Sequence, residues 1–148
     1  MARFVTRVRT PLAPEAAFAY MADLTNFARW DPGVRRAEAV TTSEPGLGAE
    51  FDVEVNGIPR PLLLRYRLTT YRHPHEVVAE ATSKRLHSLD RITVVPDDST
   101  GSLVTYDAEL NLRGVPSVFD PFLSMVFGRI GRQAEQGLMK ALDGQRVG

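Results

Sequence analysis

The chain has 148 residues, 43% of them hydrophobic and 24% charged, with 18 Lys and Arg balancing 18 Asp and Glu. These are the proportions of one globular domain with a single core, and they exclude a disordered chain or a bulk basic footprint for nucleic acid or anionic membrane. With no cysteine, disulfides, thiolate metal sites and cysteine nucleophiles are excluded as well.

The first segment alternates, Phe4-Thr6-Val8 against Val5-Arg7-Arg9, and reads as a strand. It carries no apolar leader, so a cytoplasmic location is expected. Pro14 then opens a short helix through Ala22, with Glu15 at its positive end. Asp23 and Thr25 can cap a second turn through Phe27-Ala28-Arg29, stopped by Trp30-Asp31-Pro32-Gly33.

Only strands follow for about 80 residues: Val34–Thr42, Phe51–Val55, Leu62–Leu68, Glu76–Thr82, Leu86–Val95 and Leu103–Leu112. Turn signals separate them at Pro45-Gly46-Leu47-Gly48, Asn56-Gly57, His73-Pro74-His75 and Pro96–Gly101. Folding the last hairpin about Asp98–Thr100 sets Val95 opposite Leu103, Thr93 opposite Thr105 and Arg91 opposite Asp107. Its other face then pairs Val94 with Val104, Ile92 with Tyr106 and Asp90 with Ala108. One face is therefore apolar except for Asp90, and the other carries a cross-strand charge pair.

The C-terminal segment repeats Phe119, Leu123, Val126, Ile130, Ala134, Leu138 and Leu142 at helical spacing. It starts either at Ser117 or at an Asp120 cap followed by Pro121. Val118, Phe122, Met125 and Phe127 lie off that stripe, more apolar surface than one core face needs. Hairpin after hairpin followed by one long helix makes an antiparallel sheet with a face to be covered.

Three segments carry a family resemblance. Pro14-Glu15-Ala16-Ala17-Phe18-Ala19-Tyr20-Met21-Ala22-Asp23 with Asn26-Phe27-Ala28-Arg29-Trp30-Asp31-Pro32-Gly33-Val34 resembles the opening of the START/Bet v1-like (SRPBCC) superfamily, in its polyketide cyclase/dehydrase and lipid-transport branch. Gly101-Ser102-Leu103-Val104-Thr105-Tyr106 is similar to its strand entry, and Phe119-Asp120-Pro121 with Phe127 and Ile130-Gly131 to its closing helix. The resemblance spans essentially the whole chain as one domain, residues 1–148. It implies an α+β helix-grip fold, a curved sheet of about seven strands wrapped on the long helix, with a hydrophobic cavity between them. It carries no catalytic set, because some members cyclise polyketides and many only bind.

The candidate ligand-binding residues are Trp30, Phe51, Tyr66, Asp90, Ile92, Tyr106, Phe119, Phe122, Leu123, Val126 and Ile130. Tyrosines join apolar area to one hydroxyl, and a carboxylate on an inward face either orients a ligand or is paired by an arginine. A binder of a lipid-like or aromatic small molecule is expected. The alternatives are a polyketide cyclase/dehydratase using Asp90 with Tyr106, and an interaction scaffold or homodimer formed through Val118, Phe122 and Met125. His73 and His75 on a turn lack a third ligand, and no phosphate loop or nucleophile elbow occurs. Neither metal nor cofactor is expected, nor a nucleic-acid partner or an integral membrane segment.

Overall fold

The computed structural model describes residues 1–41, 46–56, 60–97 and 101–147. The expected strand end at Thr42, the loop 98–100 and parts of the Pro45–Gly48 and Asn56-Gly57 turns lie outside these residues. In chain order come β1 (Ala2–Thr10), α1 (Pro14–Ala22), a 3-10 turn (Leu24–Asn26), α2 (Phe27–Trp30) and β2 (Val34–Ala39). Then follow β3 (Glu50–Val55), β4 (Leu62–Arg72), β5 (Glu76–Thr82), β6 (Leu86–Asp97) and β7 (Gly101–Leu112). A 3-10 turn (Ser117–Phe119) leads into α3 (Asp120–Ala141), and β8 (Gln145–Arg146) ends the order. The strands form one eight-stranded sheet, β2-β3-β4-β5-β6-β7-β1-β8, with every paired neighbour antiparallel. The helix-grip architecture is therefore present, with a two-residue strand, β8, beyond the seven expected.

Local chemistry accounts for the elements. Asp23 accepts from the Thr25 backbone N–H at 3.1 Å, capping the turn between α1 and α2 as its residue type suggests. α3 begins through the Ser117 turn, so Asp120 lies inside the helix and pairs with the Met1 amino group at 3.6 Å. The β6–β7 register pairs Asp90 with Ala108, Ile92 with Tyr106 and Arg91 with Asp107, as the alternation predicts. Its outward charge pairing is different. Asp107 accepts two hydrogen bonds from Arg3 on β1, at 2.9 and 2.7 Å, while Arg91 turns to Glu76 at 3.4 Å. A planar guanidinium gains a two-point contact on the diagonal that direct cross-strand pairing does not supply.

The concave face holds the core, with Val8, Val53, Leu68, Ile92, Val94 and Val104 fully buried on the strands. Phe18, Met21, Leu24 and Trp30 bury against it from α1, the turn and α2. α3 packs chiefly on β1 and α2. Two glycines set its distance: a Cβ at Gly131 would lie 2.3 Å from the Phe4 ring, and one at Gly137 only 1.8 Å from the Trp30 carbonyl oxygen. Absence of a side chain there is what lets the helix backbone rest on α2. Ala134, Leu138 and Leu142 are buried by this contact. No helix among the described residues is long and apolar enough to cross a membrane.

Candidate functional site

The inner face of β4 to β7 converges on a cluster of polar groups in an otherwise apolar core. Tyr66 comes from β4, Ser88 and Asp90 from β6, and Tyr106 from β7, all of them buried. Alternation places them there, since residues two apart on a strand share a face. The Tyr66 and Ser88 hydroxyls lie 2.7 Å apart and hydrogen bond to each other. Tyr106 donates to Asp90 Oδ2 across 3.4 Å, a long contact for a carboxylate that is only 4% exposed.

Around Asp90 the sheet floor is made of small residues. Ala79 on β5 and Ala108 on β7 stand directly opposite Asp90 on its two neighbouring strands, and Ala81 stands opposite both Tyr66 and Ser88. Aromatic rings roof the cluster from α2. Trp30 meets Tyr106 edge-on at 5.2 Å, and Phe27 meets Trp30 at 5.2 Å and Tyr66 at 6.1 Å. Such edge-to-face contacts fix ring orientation as well as burying area.

Asp31, the residue after α2, adds a second carboxylate. Its Oδ1 accepts from the Gly33 backbone N–H at 2.9 Å, the reason the chain turns there. Burial pushes its carboxyl above the usual range, partly offset by that hydrogen bond. Burial and the nearby Asp31 charge push Asp90 up to about 7, against the pull of the Tyr106 hydroxyl. Both Tyr66 and Tyr106 are held well above the ordinary phenol value, first by burial and then by the Asp90 charge. No cation balances this group: every arginine and lysine of the chain is exposed. His73 and His75 are exposed, and His87 faces Glu80 at 3.3 Å on the outer side.

The nominated residues separate into two sets. Trp30, Phe51, Tyr66, Asp90, Ile92 and Tyr106 are buried on the concave face or its roof. On α3, Leu123 is half-buried, while Phe119, Phe122, Val126 and Ile130 are exposed, Phe122 at 59%. Helical periodicity identified the apolar stripe but not which turns of it have a neighbour. Asp31, Ser88, Phe27 and the alanine floor escaped the sequence reading. Asp31 sits in a stretch legible only as a helix stop, whereas the alternating alanines of Glu76–Thr82 were a usable signal for a recess. A separate surface groove of about 290 Å³ lies at the far end of β1, lined by Arg9, Thr10, Asp97 and Asp143 among others.

Residues 1–143 match the family described as "Polyketide cyclase / dehydrase and lipid transport". The chain belongs to that family. Among relatives of the chain, Toxin Rv0910 of Mycobacterium tuberculosis is 25% identical over 140 residues, covering 93% of this chain and 94% of that protein. A START superfamily protein from Mycobacterium smegmatis superposes with a TM-score of 0.78 at 12% identity, covering 97% and 98% of the two chains. The di-domain ARO/CYC StfQ from the steffimycin biosynthetic pathway gives a TM-score of 0.68 at 14% identity, covering 95% of this chain and 50% of that one. The family and its START-like fold are of a hydrophobic-ligand-binding kind.

Proposed function

We propose that the chain binds a hydrophobic small molecule, lipid-like or aromatic, over the concave face between the sheet and its helical cover, without transforming it. The observation that carries this reading is the Asp90 cluster: tyrosine, serine and carboxylate groups set on an alanine floor beneath aromatic rings. An apolar enclosure with a few converging polar groups is the ordinary construction of a small-molecule site. Apolar area supplies affinity, and Asp90, Tyr66 and Tyr106 supply orientation. The exposed apolar residues Phe119, Phe122, Val126 and Ile130 extend the apolar surface beyond the buried core, where a ligand's distal part has something to cover.

Native mass spectrometry of freshly purified protein tests this through any co-purifying molecule. Titration with neutral Nile red tests it directly: saturable one-to-one binding is expected, weakened by Ala108→Leu, which fills the floor beside Asp90. Failure of Nile red to bind saturably would sink the reading.

One observation favours a second, catalytic reading. A carboxyl held at about 7 with a phenol 3.4 Å away can move protons near neutral pH. In an aldol-type cyclisation, Asp90 would take the proton next to a carbonyl while Tyr106 donates to the carbonyl oxygen. The enolate carbon so formed would attack a second carbonyl of the substrate, and protonated Asp90 would give its proton to the resulting alkoxide, completing the aldol and restoring the carboxylate. Loss of turnover of a poly-β-ketone in Asp90→Asn, with Nile red binding kept, would favour this reading over simple binding.

A further inference from the structure

The polar groups of the cluster have one electrostatic sense. Asp90 and Asp31 are acids, and Tyr66, Tyr106 and Ser88 have hydroxyls already engaged with Asp90 or with one another. The charges acting on Asp90 come from Asp31 and Asp107, both negative. Every one of the cations lies on the exposed surface, the arginines of β4 and β6 on the outer face of the sheet. Elsewhere the fold does pair a buried acid: Glu135 accepts from Thr6 and faces Arg146 at 3.7 Å. Among the described residues, Asp90 receives only the long Tyr106 contact.

A ligand reaching this floor meets acceptors that want a donor. Its head group must share space with two carboxyls and has no arginine or lysine to neutralise a negative charge. An incoming carboxylate would add a third acid to a buried site, and like charges in a water-poor setting repel strongly. An incoming hydroxyl or ammonium would instead give Asp90 the short hydrogen bond it lacks, and charge-assisted bonds to a carboxylate are the strong kind.

We infer that the ligand carries a hydrogen-bond-donating, non-acidic head group, a hydroxyl or an amine, seated against Asp90 and Tyr106, and that carboxylate-headed hydrophobes are rejected. This inference rests on the binding reading above and narrows its ligand class. The residues opposite Asp90 on both neighbouring strands are alanines, whose side chains end at Cβ, and the Trp30 ring packs on Tyr106 beside it.

Three probes of one chain length separate the head groups: decylamine, decanol and decanoate. Isothermal titration calorimetry of the full chain measures each, with the emission of Trp30, the chain's single tryptophan, as a local readout. Decylamine and decanol should bind about tenfold or more tightly than decanoate, the size expected when a hydrogen bond to a charged group is gained or lost. Asp90→Asn should narrow the gap between decylamine and decanoate about tenfold, since it removes the charge and keeps the shape. Asp31→Asn, at a less buried position, should narrow it in the same direction and serves if Asp90→Asn does not fold. Decanoate binding as tightly as decanol would overturn the head-group inference while Nile red binding left the broader reading standing. If Nile red and all three decyl compounds fail to bind, both are overturned.

Discussion

Two buried carboxylates on the concave side of one sheet live under opposite conditions. Glu135, on the second half of α3, is 8% exposed and has a threonine hydroxyl from β1 and an arginine from β8 facing it. Asp90, on β6, is 4% exposed and has a distant phenol and a second acid. The first arrangement ties three elements together, because each supplies what the others lack. The second leaves a group whose charge is costly and whose hydrogen bonding is incomplete. Burial alone therefore says little about a carboxylate's purpose, and the neighbours it is given say much.

The largest effect that would sharpen this contrast is on pH dependence. Asp90 in the folded chain sits near 7, well above its ordinary value of about 3.9 in the unfolded chain. The folded state therefore holds the proton that the unfolded state has released. Stability from this group is full below the unfolded value and is lost as pH rises through about 7. Asp31, whose carboxyl is also raised, adds in the same direction. The groups facing Asp90 are Tyr66, Tyr106 and Asp31. Urea unfolding at about pH 5 and about pH 8.5 should differ by about 2–3 kcal/mol on account of Asp90. Asp90→Asn should remove most of that difference and be the more stable chain on the alkaline side. An unchanged slope in the variant would break the comparison.

Next in size is the loss of the paired acid. Glu135→Ala strands the Thr6 hydroxyl and leaves Arg146 without its partner, so a loss of about 1–3 kcal/mol is expected in denaturant unfolding. Glu135→Gln, which keeps an acceptor for Thr6, should cost less. Equal losses would mean that the Arg146 contact carries the stability, against the geometry. The smallest effect belongs to the first half of α3. Phe122, exposed and off the helix contact, should change stability by no more than about 0.5 kcal/mol when replaced by Ala, whereas Leu138→Ala, fully buried, should cost about 2–5 kcal/mol. Phe122→Asp followed by light scattering tests self-association through the same patch, and a fall in mass relative to the parent chain would support a homodimer.

The sequence carried the hairpin register because alternation has a period of two and Asp90 breaks it once. It carried the Asp23 cap and the helix start at Pro14 because these are local hydrogen-bonding and dihedral effects. It was silent on Glu135, which sits among Arg129, Arg132, Gln133 and Gln136 and so reads as part of a solvated face. That position is interior because α3 packs on β1, where Thr6 meets it, and because β8 brings Arg146 to it; the first is a long-range contact, and a strand of two residues has no periodicity to detect. The standing of Asp31 beside Asp90 depends on how α2 docks on the sheet, a long-range matter that composition around Trp30 does not encode. The aromatic roof is of the same kind: Phe27 and Trp30 are apolar in any reading, but what lies beneath them is set by packing.

β8 has one further consequence. A sheet ends in two strands whose outer N–H and C=O groups are open to pairing with another chain. At one end β2 carries Arg35, Arg36 and Glu38, exposed charges that discourage a flat approach. At the other, β1 is blocked along its second half by Gln145 and Arg146, with the Val147 N–H adding a bond to the Arg7 carbonyl at 2.8 Å. A three-residue segment thus serves as an edge guard, and the same arginine that meets Glu135 helps keep the sheet from growing into its neighbours.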